Sequence, residues 1–152
     1  DLALEQAKVP VEKLAGIGVG CPGAVDLDRG LIEDAANLGW KDARLRDKLE
    51  TEFRCPVVVV NDVDAGVYGE YRFGVARDAR CVLGVFPGTG IGGGLILDGK
   101  PFRGFNHTAG EVGHMVLSVG GPKCACGNKG CFEALASRTA LFRKIYRFGG
   151  SS

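Results

Sequence analysis

Apolar positions along the chain fall into two patterns, unbroken short runs and helical repeats, and the two alternate. Leu14-Ala15-Gly16-Ile17-Gly18-Val19-Gly20 is a continuous run of small and branched apolar residues, which predicts a buried strand. Cys21-Pro22-Gly23 ends it. Val25 to Ile32 predicts a hairpin about Asp28-Arg29-Gly30, where glycine supplies a positive φ. From Lys41 to Phe53, the residues Leu45, Leu49 and Phe53 recur at every fourth position among Lys, Arg, Asp and Glu, predicting an amphipathic helix. Cys55-Pro56 breaks that pattern, and Val57-Val58-Val59-Val60 predicts a second buried strand.

Asn61-Asp62 opens another helical pattern through Ala65, Tyr68 and Tyr71. Arg80 to Phe86 reads as a strand, followed by a loop at Gly88-Thr89-Gly90-Ile91-Gly92-Gly93-Gly94. Leu95-Ile96-Leu97 and a short strand near Pro101-Phe102 flank Asp98-Gly99, a strong hairpin signal. Residues 104–130 read mostly as loop, with Met115 to Ser118 as one short strand. The last helix is expected over Phe132 to Tyr146, with Phe132, Leu135, Ala136, Phe142 and Ile145 on one face, and Gly149 to Ser152 as a frayed end. Alternating strands and helices predict an α/β fold with a mixed sheet. No linker or repeat divides the chain, so residues 1–152 read as one domain.

Composition narrows the possible functions. The 152 residues are 45% hydrophobic and 24% charged, which excludes a disordered chain. Lys+Arg 19 against Asp+Glu 18 gives a net charge of +1, which argues against a nucleic-acid or membrane-surface binder. No apolar run approaches the ~20 residues of a membrane span, and the start has no secretion signal pattern. Six unevenly placed cysteines do not make a secreted disulfide framework, so a cytoplasmic location is expected. Glycine is the unusual term: 25 residues, more than twice the average usage of about 7%, clustered where tight turns or close ligand approach are needed.

Four motifs carry candidate chemistry. His114, Cys124, Cys126 and Cys131 offer one imidazole and three thiols, a donor set suited to tetrahedral zinc; four protein ligands would close the shell and make the ion structural. The alternative is three free thiols in a loop beside an unrelated histidine. Asn61-Asp62 follows four valines, where a carboxylate at the carboxyl end of a strand points into the ligand crevice of an α/β sheet; either residue could instead merely cap the helix. The loop from Gly88 could present backbone N–H groups and the Thr89 hydroxyl to a phosphate, or be a tight turn with no ligand. Glu111 and Glu133 flank the Cys/His cluster, where a metal would fix them for recognising several hydroxyls; taken singly, each reads as a solvated surface residue.

Together these motifs resemble the ROK family of sugar kinases and sugar-responsive repressors. The resemblance rests on the ordered set Val60-Asn61-Asp62, Gly88 to Gly94, Glu111-Val112-Gly113-His114 and Cys124-Ala125-Cys126-Gly127-Asn128-Lys129-Gly130-Cys131-Phe132-Glu133, and covers most of residues 14–147. It implies an actin-like, ribonuclease-H-like ATPase fold and transfer of the ATP γ-phosphate to a hydroxyl of a hexose or N-acetylhexosamine. On that resemblance Asp62 is the general base, Asn61, Glu111, His114 and Glu133 hydrogen-bond the sugar, and Gly88, Thr89 and Gly90 face the nucleotide phosphates. His114, Cys124, Cys126 and Cys131 bind zinc, and magnesium bridges the phosphates. An ionised Asp62 suffices, since phosphoryl transfer is mostly positioning and electrostatics and the hydroxyl loses its proton late.

Family kinases are longer, with a first phosphate loop and a C-terminal adenosine site. The resemblance therefore implies that this chain is a central, sugar-binding piece, weak in activity alone and prone to pair with another copy through exposed apolar edges. The alternative within the family is the sugar-sensing domain of a repressor, whose helix-turn-helix is not seen in this sequence.

Overall fold

A computed structural model of the chain describes residues 2–35, 37–105 and 108–149; of the frayed end expected over Gly149 to Ser152, Gly149 is instead the last residue of a helix, and 150–152 lie outside the described residues. The described residues gather into two compact units that divide between Ala65 and Gly66.

The first unit opens with helix α1 (Leu2–Ala7) and a 3₁₀ turn at Val11–Lys13, then strands β1 (Ile17–Cys21), β2 (Ala24–Asp26), β3 (Leu31–Ala35) and β4 (Trp40–Ala43). Helix α2 (Leu45–Phe53) and strand β5 (Val57–Asn61) follow, and helix α3 (Asp62–Phe73) begins here. β1 and β5 are parallel, Ile17 opposite Val57 through Cys21 opposite Asn61. β2, β3 and β4 form an antiparallel sheet, with the predicted hairpin at Asp28-Arg29-Gly30 joining β2 to β3. Cys21, Ile32, Ala35, Val57 and Val59 make the core, and Leu45 and Leu49 of α2 pack on it. The helical spacing therefore placed the apolar face of α2 correctly. α2 stops at Arg54, which takes a left-handed conformation (φ 51°) and returns its N–H to the Glu50 carbonyl at 2.9 Å.

Two expectations change in this unit. The helix starts at Leu45 and not at Lys41, because residues 40–43 spend their backbone groups on β3, Trp40 facing Ala35 and Ala43 facing Ile32. Asp42 there has φ 49°, which no right-handed helix accepts. The valine strand is buried on one face only: Val59 is 0% exposed and Val58 57%, since alternate residues point to opposite faces and β1 is the one strand paired with β5 among the described residues.

In the second unit α3 is followed by an antiparallel sheet of β6 (Cys81–Pro87), β7 (Ile91–Leu97) and β8 (Lys100–Pro101). The turn between β7 and β8 is Asp98-Gly99 with both residues at positive φ (45° and 80°), as this dipeptide predicts. A 3₁₀ turn at Val112–His114 and helices α4 (Phe132–Ala136) and α5 (Arg138–Gly149) complete the unit.

Here too the sequence pattern misleads in places. Gly92, Gly93 and Gly94 are not loop but strand, paired with Phe86, Val85 and Gly84 of β6. A side chain at 93 would collide with the Gly110 carbonyl, so glycine there lets the following loop lie directly on β7. Met115 to Ser118 forms no strand beyond a single bridge from Val116 to Cys131. The expected last helix is broken at Ser137, whose extended backbone ends α4 and whose buried hydroxyl accepts the Ala140 N–H, capping α5. Phe142 and Ile145 of α5 are 53% and 63% exposed. Cys21 and Cys55 are buried packing residues as expected, whereas Cys81 is exposed. Among the described residues no helix is long and apolar enough to cross a membrane.

Ile32 is fully enclosed between the two sheets of the first unit. Ile32→Ala is expected to cost roughly 2–5 kcal/mol of stability by leaving a cavity, measured by denaturant unfolding.

Candidate functional site

In the first unit, β5 delivers Asn61 and Asp62 to its carboxyl end. Asn61 does the capping: its Oδ1 accepts the Val63 N–H at 2.9 Å and the Asp64 N–H at 3.1 Å, and its Nδ2 donates to the Gly23 carbonyl at 3.1 Å. Asp62 is the first residue of α3, exposed, with Oδ1 accepting the Val63 N–H at 2.9 Å. The helix dipole favours an anion at that position. Capping thus falls to Asn61, and a carboxylate is presented to solvent at the strand end. The Cys21 thiol on the neighbouring strand is pushed up by burial first and then by the charge of Asp62, which keeps it protonated and inert.

In the second unit, His114, Cys124, Cys126 and Cys131 converge, their ligand atoms all within 4.8 Å of one another. His114 closes the 3₁₀ turn, and Cys131 stands at the start of α4. Cys124 and Cys126 sit in a tight turn closed by the Cys124 N–H on the Asn128 carbonyl at 2.8 Å and the Gly127 N–H on the Cys124 carbonyl at 3.1 Å. Cys124 Sγ lies 3.7 Å from His114 Nδ1, and Cys126 Sγ lies 3.7 Å from Cys131 Sγ. A tetrahedron with metal–sulfur bonds of about 2.3 Å has edges of about 3.8 Å, so both the donor set and its spacing fit a metal ion. A hydrogen bond from the Asn128 backbone leads the lowering of the Cys126 thiol, while burial leads the raising of Cys131 to about 12. A metal must displace the proton that burial holds on Cys131.

The loop Gly88–Gly90 joins β6 to β7 and is held on three sides. The Gly88 N–H donates to the Gly90 carbonyl at 2.8 Å across the turn. From α5, the Arg138 N–H reaches the Gly88 carbonyl at 3.0 Å, the Thr139 hydroxyl reaches the Thr89 carbonyl at 2.8 Å, and Arg138 Nη2 donates to Thr89 Oγ1 at 2.6 Å. The Ile91 N–H donates to Glu133 Oε2 at 3.0 Å. Only glycine at 90 permits this, because a Cβ there would overlap that carboxylate oxygen. Glu133 Oε1 lies 3.8 Å from Cys124 Sγ, so one carboxylate on α4 touches both the loop and the Cys/His cluster. Glu111 is exposed at the entry of the turn that carries His114, its carbonyl accepting the His114 N–H at 3.1 Å.

The second unit therefore brings together Glu133, His114, the three cysteines and the end of the Gly88–Gly90 loop. Sequence reasoning missed Arg138 and Thr139, which fasten that loop, and Ser137, whose hydroxyl caps the helix that carries them. The available signal was a Ser placed before a run of helix formers, which is a helix-start pattern.

The model of the ROK family matches residues 2–149. This chain belongs to the ROK family. The chain is 44% identical over 131 residues to a glucokinase of Halalkalibacterium halodurans, covering 86% of this chain and 40% of that protein. It is 39% identical over 132 residues to the xylose repressor of Bacillus subtilis, covering 87% and 34%. Among solved structures it resembles a ROK family glucokinase from Streptomyces griseus in complex with glucose and AMPPNP, with 38% identity and a TM-score of 0.79 over 92% of this chain and 45% of that one. The ROK chain thus has the actin-like ATPase fold of these kinases and spans less than half the length of the relatives it matches.

Gly90→Ala is expected to push the Glu133 carboxylate off the Ile91 N–H, leaving a buried-edge donor unpaired at a cost of about 1–3 kcal/mol. Amide hydrogen exchange at Ile91 checks it: exchange should quicken in the variant, with β6–β7 amides remote from the loop unchanged.

Proposed function

We propose that the protein carrying this chain transfers the γ-phosphate of ATP to a hydroxyl of a hexose or N-acetylhexosamine. The observation that carries this reading is Glu133, whose carboxylate joins a phosphate-type loop to a metal-type cluster within one unit. The glucokinases among its relatives, one of them in complex with glucose and AMPPNP, support it.

Each residue then has a task its geometry allows. Asp62, exposed at the carboxyl end of β5, accepts the proton of the attacking hydroxyl. Asn61 offers the sugar the amide N–H not given to Gly23. Glu111 and Glu133 accept hydrogen bonds from sugar hydroxyls, and His114, whose Nδ1 faces the cluster, turns Nε2 to the sugar. In the loop, the Gly88 N–H is spent on the turn and the Ile91 N–H on Glu133, so the Thr89 and Gly90 N–H groups face the phosphates, with magnesium offsetting their charge.

His114, Cys124, Cys126 and Cys131 would hold zinc, which with four protein ligands would supply structural closure. Cys124, deprotonated as a metal ligand would be, would no longer donate to Glu133 Oε1 and would leave that oxygen to a substrate hydroxyl. Six cysteines without a disulfide fit the reducing cytoplasm, and the exposed apolar residues of α5 fit pairing with a second copy. Similarity to the xylose repressor favours a second reading, a sugar-sensing domain without turnover; the exposed Asp62 favours the kinase.

In the whole protein, Asp62→Asn is expected to keep hexose affinity and lower kcat by about a hundredfold to ten-thousandfold. Steady-state kinetics beside calorimetric sugar binding check this, and sugar binding without ADP release in the wild type would support the sensor instead. Metal analysis should find one zinc per chain, lost in Cys131→Ser, with zinc affinity rising as pH rises because protons and metal compete for the same sulfurs.

A further inference from the structure

Arg138 has no part in the motifs that brought the chain to a kinase reading, yet its surroundings are unusual. Its guanidinium donates to Thr89 Oγ1 at 2.6 Å, at the tip of the Gly88–Gly90 loop, and both residues are exposed. That bond spends one of five N–H donors in a rigid fork. Among the described residues no ion pair between it and a carboxylate is seen, as there is for Arg44 with Asp47 and Arg80 with Asp98. Arg138 is also the first residue of the twelve-residue helix α5, whose first turn holds no acidic side chain. A cation at a helix N-terminus opposes the helix dipole, so this position concentrates positive potential unless an anion is shared there. The same residue's backbone N–H is fixed to the Gly88 carbonyl at 3.0 Å, and its neighbour Thr139 to the Thr89 carbonyl at 2.8 Å. The root of the guanidinium and the loop are therefore bound to each other at three points.

We propose that Arg138 is a nucleotide-contacting residue: the side chain, oriented by Thr89, directs its remaining N–H groups to phosphoryl oxygens of a polyphosphate ligand seated on the Gly88–Gly90 loop. This rests on the kinase reading above and adds to it a charged partner for the phosphates. A planar guanidinium fork matches two phosphate oxygens at once, which an ammonium does not, so arginine is the fitting residue for this place. Thr89 keeps its own hydroxyl proton while accepting from Arg138, so both groups can donate to the same phosphate.

The test uses the whole protein as wild type, Arg138→Gln and Arg138→Lys, with zinc content and circular dichroism confirming that each folds. Calorimetric affinities for AMP, ADP and ATP are measured beside KM for ATP and for the hexose. Arg138→Gln should weaken ATP and ADP by about tenfold to a hundredfold, as loss of a charge-assisted hydrogen bond does, and leave AMP and hexose within about twofold. Arg138→Lys should recover part of the loss, and the salt dependence of ATP binding should be shallower in the glutamine variant. Equal weakening of AMP, ADP, ATP and hexose would reduce Arg138 to a staple of the loop and overturn the proposal, as would unchanged affinity for all of them. A wild type that binds hexose and never forms ADP would overturn the kinase reading and this proposal with it; an active wild type with an indifferent Arg138 would overturn the proposal alone.

Discussion

The carboxylate of Glu133 accepts the Ile91 N–H with one oxygen and lies against Cys124 Sγ with the other, and this double contact is what the second unit is organised around. It exists because Cys131 starts α4 and so fixes Glu133 in the first turn, and because residue 90 has no side chain to hold the carboxylate away. The glycine is a condition for a bond between two elements 42 residues apart in sequence. A Cys/His cluster and a β-turn that would otherwise be separate features thereby share an atom-level constraint.

The first unit solves a different problem, presenting a carboxylate at a strand end without burying it. Val57 and Val59 anchor β5 in a core closed by Ile32, Cys21 and Ala35. Asn61 then satisfies two of the first N–H groups of α3, so Asp62 is not needed as the cap. The division of labour between adjacent residues explains why both stand there. One side chain builds the helix start, and the other remains available to chemistry.

Legibility from sequence followed a physical line. Features set by local chemistry were readable: the turn from the Asp98-Gly99 dipeptide, which takes the two positive φ angles, the face of α2 from Leu45 and Leu49, and the metal-type cluster from its donor set and spacing. Features set by pairing were not. Residues 41–43 look helical, yet β3 offers them a ladder; Gly92 to Gly94 look like loop, yet β6 holds them as strand. Ser137 interrupts a good helical repeat because its hydroxyl caps a new helix, and the residues just after it fasten the loop. The linkage through Glu133 had no linear signal at all, since it depends on α4 and β7 meeting in space. The family resemblance suggested roles for the residues and carried none of the contacts among them.

The carboxylate of Glu133 is proposed to serve both the sugar and the loop before β7. The most direct measurement is the amide resonance of Ile91 in the isotopically labelled, zinc-loaded whole protein, titrated with glucose and with N-acetylglucosamine. A sugar hydroxyl arriving on Glu133 must alter the hydrogen bond that Ile91 donates to it, so the resonance should move and saturate with the binding curve of whichever sugar binds. Saturable sugar binding that leaves the Ile91 amide in place would contradict the claim.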